Sequence, residues 1–264
     1  MHIRSISLLS CAVLLAGCGG SNTASNVATQ GAGARPMTRS LEAGAAALQA
    51  KAPIEAINTY LDGFHFYSGH PQGQMEAHHY CTILGEEMFQ CLIYDGNVKD
   101  AKLMGVEYIV SERLFTALPA REKSLWHSHV HEVKSGQLIA PGLPEVAERE
   151  LMKKLVGTYG KTWHTWHTDR QKELPLGVPQ LMMGFTADGQ ADARMVEARD
   201  QRFGVRSADK RADRSAILSP RVADGADGWT KGKAVQLVDP TGLEHAHPKG
   251  AQNQPGPRVS SPAE

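Results

Sequence analysis

Three things are scarce in this chain of 264 residues: long hydrophobic runs, cysteines, and an excess of either charge. After residue 17, no apolar run approaches the roughly 20 residues that a membrane-spanning helix needs. The 28 basic and 28 acidic side chains are interspersed, so the basic patch of a nucleic-acid-binding protein is missing. Of the four cysteines, only Cys81 and Cys91 lie beyond position 18, which excludes a disulfide-dense scaffold. What remains is a globular domain with one sizeable core.

Complete catalytic motifs are also lacking. The sequence contains no Gly-x-Ser-x-Gly nucleophile elbow, phosphate-binding loop, Gly-x-Gly-x-x-Gly fingerprint or His-Glu-x-x-His motif. The stretch HSHVHEVKSG (127–136) superficially resembles a cupin motif, but Glu132 follows the histidines too closely. The lack of a complete motif favours a non-enzymatic protein.

The first residues have the pattern of a bacterial lipoprotein signal. An apolar run of about ten residues (6–15) is too short to span a membrane and indicates a signal peptide over residues 1–17. The sequence Leu-Ala-Gly-Cys then places two small residues before Cys18, whose thiol is the nucleophile that takes a diacylglycerol. We therefore predict that acylated Cys18 anchors the chain in a lipid bilayer; an ordinary secretory signal with a chance cysteine is the alternative. Gly19 favours the outer membrane, on the side that faces the periplasm.

A flexible tether and two helices are predicted to follow the lipid anchor. Residues 18–35 are rich in Gly, Ser, Asn, Thr and Ala and have too few bulky apolar side chains to order themselves. The alanine-rich segment 37–50 predicts a helix. A second helix is predicted after Pro53, ending at Gly63, from apolar residues at helical spacing: Ile54, Ile57, Tyr60 and Leu61.

Segments 75–84 and 88–95 are rich in aromatic and β-branched residues and predict a β-hairpin. A turn over 85–87 sets a register in which Cys81 faces Cys91. Alternation then places one set of side chains on a buried face: Ala77, His79, Cys81, Ile83, Phe89, Cys91 and Ile93. A disulfide between the two cysteines suits an oxidising periplasm, although a direct cross-strand bond is geometrically demanding. Inert packing and a catalytic thiol at Cys81 are the alternatives.

The remaining strands and helices alternate without a regular βαβ pattern. Strands are predicted over 102–110, 161–168 and 180–186, helices after Ser111 and Pro119 and over 143–156 and 194–202, and a strand or a loop entering one over 129–138. The sequence therefore predicts the α+β class, a mainly antiparallel sheet flanked by helices in a single domain over 36–204. Residues 205–264 are predicted to be extended and partly disordered, with a disordered tail from about residue 248.

Histidine is the unusual residue type, with twelve in the chain. They cluster as His78 with His79, as His127, His129 and His131, and as His164 with His167. Because side chains two apart on a strand point the same way, His127 and His129 are predicted to share a pocket with His164, with His78 or His79 at its edge. A His-x-His pair plus a distant histidine is a spacing that open zinc sites use. This predicts a site for zinc or another divalent transition metal, with Glu132 holding an imidazole tautomer or acting as a general base.

A structural role is the alternative for the same histidines. A histidine beside a tryptophan often fills the edge of a core with one nitrogen hydrogen-bonded, and clusters separated by dozens of residues need not meet in space. Acid–base chemistry or a proton switch without any metal is a third interpretation.

Several stretches together resemble the oil body-associated proteins of plants and their bacterial and fungal relatives, a family with a domain of unknown function. The stretches follow the family order over residues 60–205: LDGFHFYSG (61–69), EAHHYC (76–81), QCLIYD (90–95), GVEYIVSERLF (105–115), LWHSH (125–129), EVKSGQLIAPGLPE (132–145), LVGTYGKTWHTW (155–166) and LPLGVPQLMMGFTADGQ (174–190). The resemblance implies a lipid-surface association like that of plant members with seed oil bodies, and it carries over no established catalytic activity, cofactor or active site. Among the candidate ligands, the family pattern includes His78, His79, His127, His129 and His164 and leaves out His131 and His167.

Two functions from different classes follow. The first is a membrane-anchored periplasmic or outer-membrane lipoprotein, whose domain has a non-enzymatic role at a lipid surface or in the envelope. The second is a histidine-rich metal-binding protein, which in an enzymatic form would be a zinc-dependent hydrolase.

Overall fold

The computed structural model of the protein describes residues 22–170 and 174–238, and its centre is a seven-stranded antiparallel sheet. The strands are β1 (Thr59–Tyr67), β2 (His70–Ile83), β3 (Met88–Tyr94), β4 (Leu103–Ser111), β5 (His127–Ser128), β6 (Thr158–His164) and β7 (Gln180–Met183). They follow the order β4-β3-β2-β1-β7-β6-β5, and an additional pairing of β4 with β6 closes six of them into a ring. Cys18, the signal peptide and the tail from about residue 248 lie outside the described residues.

Helices surround this closed sheet. They are α1 (Pro36–Leu48), α2 (Ala52–Glu55), α3 (Glu112–Thr116), α4 (Ala120–Lys123), α5 (Val130–Ser135), α6 (Glu145–Leu155), α7 (Ala193–Phe203) and α8 (Ser207–Asp213). The predicted α+β class with a mainly antiparallel sheet and flanking helices is confirmed. Ser111 caps α3 as expected, since its hydroxyl accepts from the amide of Leu114. Among the residues that the structure describes, no helix combines the length and apolar character needed to cross a bilayer.

The side chains inside the closed sheet change character along its axis. Alternate residues of each strand point inward. At one end they form an apolar cluster with side chains from α5 and α6: Leu61, Ala77, Cys81, Phe89, Cys91, Ile93, Ile109, Val133, Met152 and Leu155 are among its members. At the other end Tyr67, Met75 and Met182 pack together. Between these two layers the inward positions carry histidines and a glutamate.

The hairpin of β2 and β3 has the register that the sequence predicts. Cys81 pairs with Cys91, and the amide of Leu84 donates to the carbonyl of Met88 across the turn. The structure joins the two cysteines by a disulfide, with their Cα atoms 4.0 Å apart. This bond closes a short loop on the buried face of the hairpin.

The prediction of a helix from Pro53 to Gly63 is wrong. Only α2 is helical there, and residues from Thr59 onward form β1. Phe64 and Phe66 point outward from β1 and pack with Phe185, while the opposite face of the strand is inside the closed sheet. Because both faces are buried, the apolar residues do not alternate with polar ones, and their spacing imitates a helix.

Segment 129–138 is also different from the prediction of a strand or strand-entering loop. β5 ends at Ser128, His129 precedes the first turn of α5, and the helix ends at Gly136 in the left-handed conformation. His127 and His129 therefore do not share a continuous strand, and His131 is the second residue of the helix.

Both flanking regions have more structure than their composition indicates. In the predicted tether, residues 23–27 contact the loop between β3 and β4, and Val27 is buried. In the region after 204, α8 is followed by Arg214, Ile217 and Asp227, which are all buried.

Candidate metal centre

Glu107 is a buried carboxylate at the middle of β4. Alternation along the strand points it into the closed sheet between Gly105 and Ile109, and its side chain is only 1% exposed. Cys91 and Thr162 lie opposite it on the two neighbouring strands. A carboxylate removed from water in this way needs compensating partners.

Four imidazoles supply these partners, each through Nε2. The distances to the nearest Glu107 oxygen are 2.9 Å from His79, 3.2 Å from His129, 3.5 Å from His127 and 3.7 Å from His65. His164 reaches the centre indirectly, since its Nε2 lies 3.4 Å from Nδ1 of His65. Five histidines from β1, β2, β5, β6 and the start of α5 thus surround one carboxylate.

The hydrogen bonds of Nδ1 in His79 and in His129 determine the tautomer of each ring. They thereby determine whether Nε2, which faces the carboxylate, carries a proton or a lone pair. Nδ1 of His79 lies 3.0 Å from the carbonyl oxygen of Ala77, which can only accept, so this nitrogen carries the proton. Nδ1 of His129 lies 2.8 Å from the hydroxyl of Thr158, whose own proton goes to the carbonyl of Leu155. In neutral rings both Nε2 atoms are therefore unprotonated and face the oxygens of Glu107.

Besides Nδ1 of His127, the buried atoms without a hydrogen-bond partner among the described residues include two that face each other at the centre, Nε2 of His127 and Oε1 of Glu132. They lie 3.8 Å apart, and His127, His129 and Glu132 each offer an atom within 4.8 Å of the other two. Gly160 and Gly184 keep this space free, because a Cβ at Gly160 would overlap Glu107 Oε1 and one at Gly184 would overlap Glu132 Oε1.

Burial keeps the imidazoles of His65, His127 and His164 neutral. Burial lowers the pKa of His127 and of His164 to about 3, and it lowers the pKa of His65 well below its usual 6.5. Burial opposes ionisation of Glu107, but hydrogen bonding from His129 and His79, which needs a proton or another positive charge at their Nε2 atoms, outweighs burial and holds the pKa of Glu107 well below 4.5. Burial, with the nearby charges of Glu107 and Asp227, raises the pKa of Glu132 well above 4.5. Neutral imidazoles around an ionised carboxylate are the forms that bind a divalent transition metal.

Of the predicted site residues, the structure brings together His79, His127, His129 and His164, with Glu132 beside His127. His78 is not among them; it forms a separate group with Asp62 and Glu76, whose potential ligand atoms all lie within 4.8 Å of one another. It points to the opposite face of β2, where its Nδ1 lies 3.1 Å from Asp62 and 2.8 Å from the hydroxyl of Tyr60. Adjacent strand residues point to opposite faces, so only one of the pair could face the interior.

The sequence prediction missed His65 and Glu107. His65 lies after Gly63, where the predicted helix ends, in a stretch for which the sequence predicted no helix or strand, so its facing direction could not be inferred. Glu107 is a single acidic residue within the otherwise apolar strand GVEYIV (105–110). A buried charge in such a strand requires a partner, and that signal could have identified it.

Comparison with known proteins places the chain among relatives from plants. A family profile described as "Protein of unknown function (DUF1264)" matches residues 51–218. The chain is 43% identical to Oil body-associated protein 1B of Arabidopsis thaliana over 219 residues, which cover 82% of this chain and 91% of that protein. It is 44% identical to Oil body-associated protein 1A of Zea mays (74% and 82%) and 40% identical to Oil body-associated protein 2A of Zea mays (78% and 84%). No solved structure matches.

Proposed function

This chain belongs to the oil body-associated protein family, and from that premise we propose that it is a metal-binding member, with a divalent transition ion held inside the closed sheet. The observation that carries the proposal is the arrangement of lone pairs around Glu107. Nε2 of His79 and Nε2 of His129 each face a carboxylate oxygen at 2.9 and 3.2 Å, while their Nδ1 protons are donated elsewhere. Two lone pairs repel at that distance unless a positive charge lies between them.

A metal ion fits this position better than protons do. Two ligands of a tetrahedral ion, each about 2.0–2.1 Å from it, lie about 3.3 Å apart. The separations of His79, His129 and His127 from Glu107 bracket that value. If Nε2 of His79 and of His129 were both protonated instead, two imidazolium cations would lie beside the single carboxylate of Glu107. One positive charge would then remain uncompensated in a site that is closed to water.

Because the centre is buried, a structural ion that stabilises the fold is favoured, rather than a catalytic ion that must be reached by a substrate. His65, His79, His127, His129, His164, Glu107 and Glu132 are each at most 4% exposed. A structural ion contributes its binding free energy directly to folding. The proposed metal-binding role is therefore non-enzymatic.

Elemental analysis of the purified full-length chain, followed by thermal unfolding with and without prolonged dialysis against a chelator, tests the metal. An ion at about 100 times its Kd adds about 2.7 kcal/mol to the free energy of unfolding. Wild type should therefore unfold at a lower temperature after chelation. His129→Ala should contain less metal and respond little to the chelator.

The matched control is His131→Ala in α5, because His131 faces Asp188 at 3.9 Å rather than the centre. This variant should retain both the metal and the chelator response of wild type. A metal-free wild-type chain that does not respond to the chelator would contradict the proposal.

We also propose that Cys18 is acylated and anchors the chain in the cell envelope, with the outer membrane as its site and a non-enzymatic lipid-surface role. The sequence Leu-Ala-Gly-Cys after an apolar run supports acylation. The disulfide of Cys81 with Cys91 supports an oxidising compartment. The relatives are named for oil bodies, which supports a lipid surface as the place of action.

The anchor is tested by the mass of the mature chain and by membrane fractionation of Cys18→Ala. This variant should remain an unprocessed precursor or be released from membranes. Cys11→Ala is the matched control, since Cys11 is removed with the signal peptide and its loss should change neither measurement. A Cys18→Ala chain with the mass and membrane association of wild type would contradict acylation at this position.

A further inference from the structure

The described chain begins at a fixed point on the domain surface rather than in a free linker. The amide of Thr23 donates to Oδ1 of Asn97 at 2.7 Å, and the amide of Asn97 donates to the carbonyl of Thr23 at 3.0 Å. The hydroxyl of Ser25 donates to Asp95 at 2.8 Å. Gly96 allows this close approach, because a Cβ there would overlap the carbonyl oxygen of Thr23. Residues 23–27 are thereby attached to the loop between β3 and β4.

The same loop forms the rim of an apolar groove on the outer face of β2, β3 and β4. Two adjoining cavities of about 430 and 230 Å³ share Ile54, Ile57, Tyr80 and Leu92. The larger cavity is also lined by Tyr94, Gly96, Asn97, Val98, Lys99 and Ala101, and the smaller one by Pro53, Thr82, Gln90, Cys91, Val106 and Tyr108. Ile54 is 57% exposed and Tyr108 is 43% exposed. Most of the side chains that line this surface are apolar or aromatic, and no described element covers it.

The covalent distance between Cys18 and this rim is short. Thr23 is five positions after Cys18, and a fully extended chain of five residues spans at most about 18 Å. A lipid on Cys18 would therefore hold the rim of the groove within about 18 Å of the bilayer. A free linker extending to residue 35 would impose no such limit on how the domain is oriented.

We propose that this groove face is the side of the domain that contacts the bilayer carrying its own lipid anchor. The proposal rests on the proposed acylation of Cys18. Tyrosines with apolar rings and polar hydroxyls suit the boundary between acyl chains and headgroups, and Tyr80, Tyr94 and Tyr108 all belong to the groove. Lys99 at the rim suits a headgroup phosphate.

The bilayer is favoured over a protein partner because the anchor keeps it beside this face at all times. A lipid surface within about 18 Å of the rim is present at a far higher local concentration than any freely diffusing protein. Contact with the membrane removes the exposed apolar side chains on that side from water, which lowers the free energy of the system.

A fluorophore placed on the groove tests the orientation. Ile54→Cys and, as the matched control, Leu218→Cys each introduce one thiol at an exposed apolar position, and Leu218 does not line the groove. Cys81 and Cys91 are joined and buried and therefore do not react. Each labelled full-length chain is reconstituted in phosphatidylethanolamine–phosphatidylglycerol vesicles containing nitroxide lipids. The label at position 54 should lose more fluorescence than the label at position 218.

Equal loss at both positions, or a greater loss at 218, would overturn the orientation. Mass spectrometry of the same preparations keeps this failure separate from failure of the anchor. A chain without acyl groups that does not sediment with vesicles contradicts acylation of Cys18. An acylated chain without preferential quenching at position 54 contradicts only the groove as the contact face.

Discussion

Arg199 and Asp62 form a fully buried ion pair between α7 and β1, with Nη1 of the arginine 2.8 Å from Oδ1 of the aspartate. The same guanidinium donates to the carbonyl of Gln137 and lies 4.8 Å from the ring of Phe64. One side chain therefore connects the closed sheet, the helix outside it and the segment that follows α5.

Replacing Arg199 with alanine should be strongly destabilising, because it leaves the Asp62 carboxylate buried without its cationic partner. We expect Arg199→Ala to lower the free energy of unfolding by about 3–5 kcal/mol, measured by urea denaturation. Arg194→Ala is the control on the same helix, since the side chain of Arg194 is 91% exposed and pairs with Asp192, which is itself 46% exposed. Arg194→Ala should lower the free energy of unfolding by less than about 1 kcal/mol. Equal losses in the two variants would show that the buried pair has no special role.

Gly184 is predicted to be intolerant of a side chain because of its contact with the metal centre. A Cβ there would overlap Oε1 of Glu132 and approach the ring of His127. We expect Gly184→Ala to lower the free energy of unfolding by about 1–3 kcal/mol and to reduce the metal content. Gly85→Ala provides the control, since a Cβ at Gly85 has no neighbour within 4 Å. Normal stability and metal content in Gly184→Ala would contradict the close packing at this point.

The disulfide should contribute to stability by restricting the unfolded chain. Cys81 and Cys91 are ten positions apart, and a loop of that size corresponds to about 3 kcal/mol in the chain-entropy description. Urea denaturation of the double variant Cys81→Ala/Cys91→Ala should show a loss of about that size. Added reductant should then leave the double variant unchanged while destabilising wild type. Equal sensitivity of both proteins to reductant would contradict a contribution from this bond.

The sequence was sufficient for the hairpin because two independent signals agree there. Alternation along 75–84 and 88–95 and a three-residue turn give the same register, so the pairing of Cys81 with Cys91 could be predicted. A one-residue shift would have exposed the whole apolar face.

The same method failed at β1 because tertiary packing buries both of its faces. The missing alternation hid the strand, and with it the inward direction of His65. Glu107 was overlooked since its partners come from distant segments, and nothing within GVEYIV (105–110) identifies them. The approach of the His127 and His164 clusters to each other was predicted from their residue type. Closure of the sheet by the pairing of β4 with β6 joins strands that are distant in sequence, so local patterns could not predict it.

Asp227 should make stability depend on pH between about 4 and 7. Its carboxylate accepts from the amide of Ser128 at 3.0 Å, and burial raises its pKa from 3.8 to about 7. The folded state therefore binds a proton more tightly than the unfolded state. The associated stability is complete below pH 3.8 and is lost as the pH rises to about 7, by up to about 4 kcal/mol.

Asp227→Asn isolates this effect, because asparagine cannot ionise, retains an acceptor oxygen and tolerates the left-handed backbone at this position (φ 52°). Urea denaturation between pH 4 and pH 8 should show a smaller loss of stability with rising pH in Asp227→Asn than in wild type. The nearby Asp224→Asn serves as control, since Asp224 has an 89% exposed side chain and should leave the wild-type pH dependence intact. If Asp227→Asn and wild type lose stability in parallel across this range, the raised pKa of Asp227 is not a source of the pH dependence.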